Sequence, residues 1–184
     1  MGSTSSSALG SLLRDPRRVG NAVIQRALML GARWKGLHDL RSRLKSRQSV
    51  FSAVYSERRW GSDESGSGTG SELRATETVR LRLPDLLKRL GAESLLDAPC
   101  GDWNWMQHLE LPVNRYYGVD IVQGVIDANR ARFGDSTHTF KVCDLTTDPL
   151  PEADVVLCRD CLIHLSFQDA SAVLDNFRRT GATW

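Results

Sequence analysis

Ser94-Leu95-Leu96-Asp97-Ala98-Pro99-Cys100-Gly101-Asp102-Trp103 is the stretch that decides the fold. An apolar run ends in an acid, and a turn containing Gly101 follows at once. Twenty-three residues after Asp97, the run Tyr116-Tyr117-Gly118-Val119 ends in a second acid, Asp120. A strand, a sharp turn, a helix and a second strand closing on a carboxylate make the nucleotide-binding half of a doubly wound sheet.

Downstream, the strand–helix rhythm repeats. The pattern predicts strands at 94–98, 115–120, 137–143 and 154–158, with helices from about 103, at 122–132 and at 167–180. Val155-Val156-Leu157 is a continuous apolar run, as expected of a strand buried on both faces. Gly181-Ala182-Thr183-Trp184 reads as a turn into a fifth strand. The expected fold is therefore α/β, Rossmann-like and doubly wound, with a mostly parallel sheet and a helical N-terminal extension.

Upstream, the character changes. Residues 1–50 carry ten Lys/Arg and two acids, whereas residues 51–184 carry fourteen and twenty. A basic arm, residues 1–48, thus precedes a mildly acidic domain, residues 49–184. The arm opens Ser-rich, and its start fits the loose N-myristoylation pattern. Residues 10–47 place Leu12, Val19, Val23, Ala27 and Leu30 at helical spacing among arginines. This suits an organelle transit peptide, a nucleic-acid or membrane-surface contact, or a solvated helix. No apolar run approaches the ~20 residues of a membrane span. The expected location is cytoplasmic, with organelle targeting through the arm as the alternative.

Between Trp60 and Glu72, eight of eleven residues are Gly or Ser. The stretch is either a flexible linker or a loop folded closely over a ligand. A helix follows from Ser71, with Leu83, Leu86, Leu87 and Leu90 as its apolar face. Pro84 predicts a kink or two consecutive helices, and Gly91 a left-handed cap. Cys100, Cys143, Cys158 and Cys161 all fall at or near strand ends, which argues for reduced, packed thiols. A single Cys158-x-x-Cys161 pair is a weak metal signal, and no metal is expected.

Four stretches in this order resemble the cofactor half of the class I S-adenosylmethionine-dependent methyltransferases. They are Leu96–Asp102, Tyr117–Asp120, Val142–Leu145 and Val156–Leu165, and together they span about 70 residues. The first departs from that family's acid-x-Gly-x-Gly-x-Gly turn, because Pro99 and Trp103 stand where glycines would and only Gly101 remains. Pro99 also removes a backbone N–H. The departure argues against a dinucleotide, whose pyrophosphate needs the fuller glycine pattern, and suits a nucleoside without phosphate.

The resemblance implies site residues one by one. Asp97 would lie near the positive methionine end of the cofactor, beside Pro99 and Gly101 of the turn. Asp120 would accept both ribose hydroxyls, with Ile121 beside the adenine. Asp144 would accept from the adenine amino group, with Cys143 and Leu145 flanking the base. Arg159 would orient the cofactor carboxylate or an acidic substrate. Asp160 and His164, four apart and on one face if helical, could take a proton from the acceptor. Trp103 and Trp105 are either core or site-facing.

The expected activity is transfer of a methyl group from S-adenosyl-L-methionine to an unidentified, small-molecule acceptor. The alternative is a non-catalytic nucleoside-binding module acting through a partner. That family's sheet has seven strands, so a chain ending as the fifth would begin reads as truncated after the fourth.

Overall fold

The computed structural model describes residues 46–184. The expectations for the Ser-rich start and for the arm up to residue 45 lie outside them. Among the described residues no helix is long and apolar enough to cross a membrane.

The described residues form four α-helices and four strands: α1 (Arg47–Ser56), α2 (Glu77–Leu90), β1 (Ser94–Asp97), β2 (Arg115–Asp120), α3 (Gln123–Phe133), β3 (His138–Val142), β4 (Val155–Leu157) and α4 (Phe167–Arg178). The strands form one parallel sheet in the order β3-β2-β1-β4. Parallel neighbours need crossovers, and the order reverses between β1 and β4, where open α/β sheets form their crevice. Registers pair Asp97 with Gly118 and Leu157, and Asp120 with Val142. All four chain reversals that follow thus emerge at the same sheet edge. Beyond β4, Val156 N–H donates to Trp184 O at 2.9 Å and Thr183 N–H to Asp154 O at 3.2 Å. The last residues therefore run beside β4.

Two apolar clusters cover the two faces. Leu83 and Leu87 of α2, Leu95, Tyr116, Ile126 and Phe140 pack on one. Leu96, Val119, Cys143 and Val173 pack on the other. Leu95 and Leu96 go to opposite faces because successive strand side chains alternate.

Three local expectations are corrected. α2 is one helix across Pro84 and not two consecutive ones. Burial of Leu83 and Leu87 on one face carries the helix past the missing hydrogen bond, while Leu86 is exposed. That helix starts at Glu77, not Ser71; a 3-10 turn at Thr69–Ser71 precedes it. No α-helix begins near residue 103; only a 3-10 turn, Met106–His108, is present. Trp103 is the cause: its φ of +58° is left-handed and incompatible with a helix start. Gly91 does cap α2 in the left-handed region, with its N–H on Leu87 O and Lys88 O.

Trp103 occupies the backbone conformation that a glycine would take at that point. The strain costs about 1–2 kcal/mol. Its buried ring meets Tyr116, Phe133 and Phe140 at centroid distances of 4.6–5.5 Å, and this packing offsets the strain. Trp103 is therefore core.

Candidate functional site

A cavity of about 370 Å³ opens at the carboxyl ends of the strands. Its floor is Asp97, the turn Pro99–Asp102, Asp120 and Ile121. Asp144, Leu145 and Thr146 form one side, and Arg159, Asp160, Cys161 and His164 the other. Nine of the sequence-predicted residues with catalytic or cofactor roles, together with Pro99, thus meet around one space. Cys143 stands apart. It is fully buried, packs with Leu96 and Val119, and directs its thiol toward Pro149 O. Its thiol fills the sheet face, and Cys143 is not among the residues that line the cavity.

The turn after β1 uses up its own donors. Ala98 N–H goes to Leu157 O at 2.9 Å and Cys100 N–H to Val119 O at 2.8 Å. Gly101 N–H goes to Asp120 Oδ2 at 3.2 Å, and Asp102 N–H to Ser67 Oγ at 3.0 Å. Pro99 has no N–H. From Ala98 to Asp102, no backbone donor is left to cradle a phosphate, which a dinucleotide site requires. Gly101 sits at φ +55°, and an added Cβ there would strike Ser67 Oγ. Asn129 of α3 holds the turn from behind, donating to Gly101 O at 2.7 Å.

The carboxylates at the strand ends differ in surroundings. Asp97 is buried; Tyr116 Oη donates to it at 2.6 Å, and Trp103 Nε1 donates to Tyr116 Oη at 2.7 Å. Burial pushes its pKa up to about 7, with the Tyr116 hydrogen bond opposing and the nearby Asp120 adding to the rise. Asp120 is equally buried and accepts from Val122 N–H at 2.9 Å as well as from Gly101. Burial raises it to about 6 against those backbone donors. Neither acid hydrogen-bonds a basic side chain among the described residues, so both retain acceptor capacity toward the cavity. Burial also pushes Asp144 upward, but hydrogen bonds from Thr146 and Arg47 outweigh it and hold that carboxyl below its ordinary value.

After β4 the chain does not form the α-helical turn that would set Asp160 and His164 on one face. Asp160 is left-handed at φ +52°, and Leu162–His164 is a 3-10 turn. Both side chains still line the cavity. Arg159 donates to Gly70 O at 2.7 Å, pairs with Asp160 at 3.0 Å and lies 5.9 Å from the Trp105 ring centroid. Trp105, unlike Trp103, therefore faces the site. Cys158 and Cys161 are free thiols, and the Cys161 thiol lowers the Cys158 pKa by hydrogen bonding to it.

The cover was hidden in the sequence. The Gly/Ser stretch is a fixed wall. Asp102 receives Gly66 N–H at 2.7 Å and the hydroxyls of Ser65 and Ser67 at 3.0 Å. Gly68 lies so close to Trp60 that a Cβ there would sit 2.6 Å from it. Asn104 holds the far end, donating to Ser71 O at 3.0 Å and Glu64 at 2.7 Å. Over this wall lies α1. Tyr55 Oη hydrogen-bonds Ser67 Oγ at 2.8 Å, and Phe51 and Tyr55 pack on Trp60, whose other neighbour is the His164 ring at 5.6 Å. α1 begins at Arg47, so the boundary expected after residue 48 cuts its first turn. Arg47, which that boundary leaves outside the domain, lines the cavity.

Comparison with known proteins agrees with this geometry. Residues 95–182 match a family described as a methyltransferase domain. No curated protein matches the chain. Among solved structures, the N-methyltransferase NodS from Bradyrhizobium japonicum WM9, in complex with S-adenosyl-L-homocysteine, is 16% identical, with 71% of this chain and 67% of that one covered and a TM-score of 0.55. Magnesium protoporphyrin IX methyltransferase from Synechocystis PCC 6803 is 19% identical over 74% of this chain and 66% of that one, with a TM-score of 0.53. The DhpI complex with S-adenosyl-L-homocysteine is 18% identical over 73% and 61%, with a TM-score of 0.52. The chain thus spans less than two thirds of the length of the last two.

Proposed function

We propose that the chain, whose residues 95–182 match a methyltransferase-domain family, binds S-adenosyl-L-methionine in this cavity and methylates a small-molecule acceptor. The turn carries the reading. It spends every N–H from Ala98 to Asp102 internally, yet presents two buried carboxylates. That donor set suits a nucleoside with paired hydroxyls and a cationic tail, and it does not suit a pyrophosphate.

Each side chain then has a role. Asp120 accepts the ribose hydroxyls, and Ile121 and Leu145 pack beside the base. Asp144 accepts from the adenine amino group. Asp97, held by Tyr116, faces the cationic methionine end with Pro99 and Gly101, and Arg159 orients a carboxylate. When bound, the cofactor supplies an activated methyl group on a sulfonium. The chain contributes mainly alignment and exclusion of water, which methyl transfer chiefly needs. Asp160 or His164, both at the cavity, takes the acceptor's proton. A cavity closed over by α1 and the 61–71 wall favours a small acceptor.

Titration calorimetry with S-adenosylmethionine and S-adenosylhomocysteine tests the reading. One-to-one binding of both is expected. A folded chain that binds neither refutes it, and binding without methyl transfer to any component of a cell extract would assign a binding role alone.

A further inference from the structure

Of the three acids at the strand ends, only Asp144 is paired with a basic side chain among the described residues. Its Oδ1 accepts from Thr146 N–H at 3.0 Å and Thr146 Oγ1 at 2.7 Å. Its Oδ2 accepts from Arg47 Nε at 3.0 Å, and Arg47 Nη2 forms an ion pair with the same oxygen at 3.0 Å. Three of the roughly four acceptor positions of the carboxylate are thus taken, and the guanidinium stands at the fourth. The Thr146 donors belong to the same loop and move with it. The Arg47 donors come from the start of α1, 97 residues away in the chain. A base donor reaching Asp144 Oδ2 meets the Arg47 guanidinium there and competes with it for that oxygen.

Arg47 has somewhere else to go. Its Nη1 already pairs at 3.0 Å with Asp169 in the first turn of α4. Asp169 in turn accepts from Ser166 Oγ at 2.8 Å, which keeps it oriented. The helix that carries Arg47 is also lightly held. None of the ten residues of α1 is buried. Among its fastenings beyond Arg47 are the Tyr55 hydroxyl on Ser67 and the packing of Phe51 and Tyr55 against Trp60. An element with so little buried surface opens locally at low free energy.

We propose that Arg47 is a latch on the cofactor site. Paired with Asp144, it draws the start of α1 across the cavity; when a base amino group takes Asp144, Arg47 yields that carboxylate and stays on Asp169. The proposal rests on the assignment of Asp144 to the base. It makes Arg47 a positioning residue that governs entry and exit of the ligand. The Arg47 side chain is 37% exposed and that of Asp144 22%. The pair is therefore open to screening by salt.

The test uses the full chain, with S-adenosylhomocysteine as probe, in rapid-mixing binding and in hydrogen exchange of the α1 amides. S-adenosylhomocysteine is net neutral, so raising salt from about 0.05 to about 0.5 M should speed its association with the native chain by weakening the latch. Arg47→Ala should speed association about tenfold, the loss of roughly 1.4 kcal/mol from the barrier, and remove the salt effect. Without added ligand, it should also speed exchange across α1 about tenfold. Arg47→Lys, whose single ammonium lacks the planar fork that reaches two carboxylates, should fall between. Should Arg47→Ala not fold, the lysine variant carries the same comparison. Slower association in either variant, or α1 exchange unchanged, makes Arg47 a strut and overturns the latch. Asp144→Asn separates the premise. If it binds the probe as tightly as the native chain, the base assignment falls, and the latch with it. An Arg47 variant that fails only the kinetic and exchange tests leaves that assignment standing.

Discussion

The floor and the cover of the cavity are built on opposite physical terms. The floor is the carboxyl edge of the sheet. Asp97 and Asp120 are each only 4% exposed, and the turn between them has every donor committed. The cover is α1, with no buried residue, resting on a Gly/Ser wall whose residues 65–67 are pinned by one carboxylate, Asp102. A site that must hold charge in a fixed geometry belongs on a rigid element. A site that must admit and release a ligand needs one face that moves at low cost. The difference teaches that affinity resides in the floor, and access and rate in the cover.

The sharpest way to break this contrast is to remove the floor's ribose acceptor. Asp120→Ala should weaken S-adenosylhomocysteine binding at least about a hundredfold, because charged hydrogen bonds contribute about 1.5–3 kcal/mol each. Calorimetry reading an unchanged affinity would end the ribose assignment. It would also shift the burden of binding to the cover.

A somewhat smaller effect is expected at the joint between the two regions. Asp102→Ala strips the wall of the acceptor shared by Ser65, Gly66 and Ser67. It should cost about 2–3 kcal/mol of stability in urea unfolding and speed amide exchange over residues 65–68. If the wall stays protected in that variant, it is not pinned by Asp102, and floor and cover form a single rigid body.

The smallest effect is the pH dependence of the floor. Asp97 has a folded pKa of about 7, raised by burial above its ordinary carboxylate value. The folded chain therefore holds a proton that the unfolded chain has lost. The stabilisation is complete below about pH 4 and is lost as pH rises through about 7. Binding of a cationic cofactor prefers the ionised acid, so the sign reverses for affinity. S-adenosylmethionine should bind up to about tenfold more tightly per pH unit between pH 5.5 and 7, and level off above. Asp97→Asn should flatten that slope. A native chain whose affinity ignores pH over this range would remove Asp97 from the cationic end.

Much of the floor was legible in the chain itself. Strand ends closing on Asp97 and Asp120, and a turn around Gly101, are local patterns: they depend on alternation, on turn chemistry and on spacing. The misreadings came where packing overrode a local rule. Pro84 sits inside one helix because Leu83 and Leu87 on either side of it are buried. Trp103 prevents a helix by adopting a glycine-like conformation that its aromatic neighbours stabilise. The cover was nearly invisible, since Gly and Ser carry no periodicity and Arg47 is one arginine among many. Asn104 and Asp102, polar residues directly after a glycine turn, were the available hint that something polar docks there.

By itself the sequence determined the order of strands and helices, the acids that end the strands and the loss of a phosphate-binding turn. Those follow from side-chain alternation and from the fixed demands of Gly and Pro on the backbone. Only the tertiary structure decided that residues 47–71 close over those acids. It also decided that Asp102 holds the wall and that Arg47 reaches Asp144. Such contacts join residues 35 to 97 positions apart. No local pattern encodes them, because they exist only once the sheet has brought its carboxyl edge to a single place.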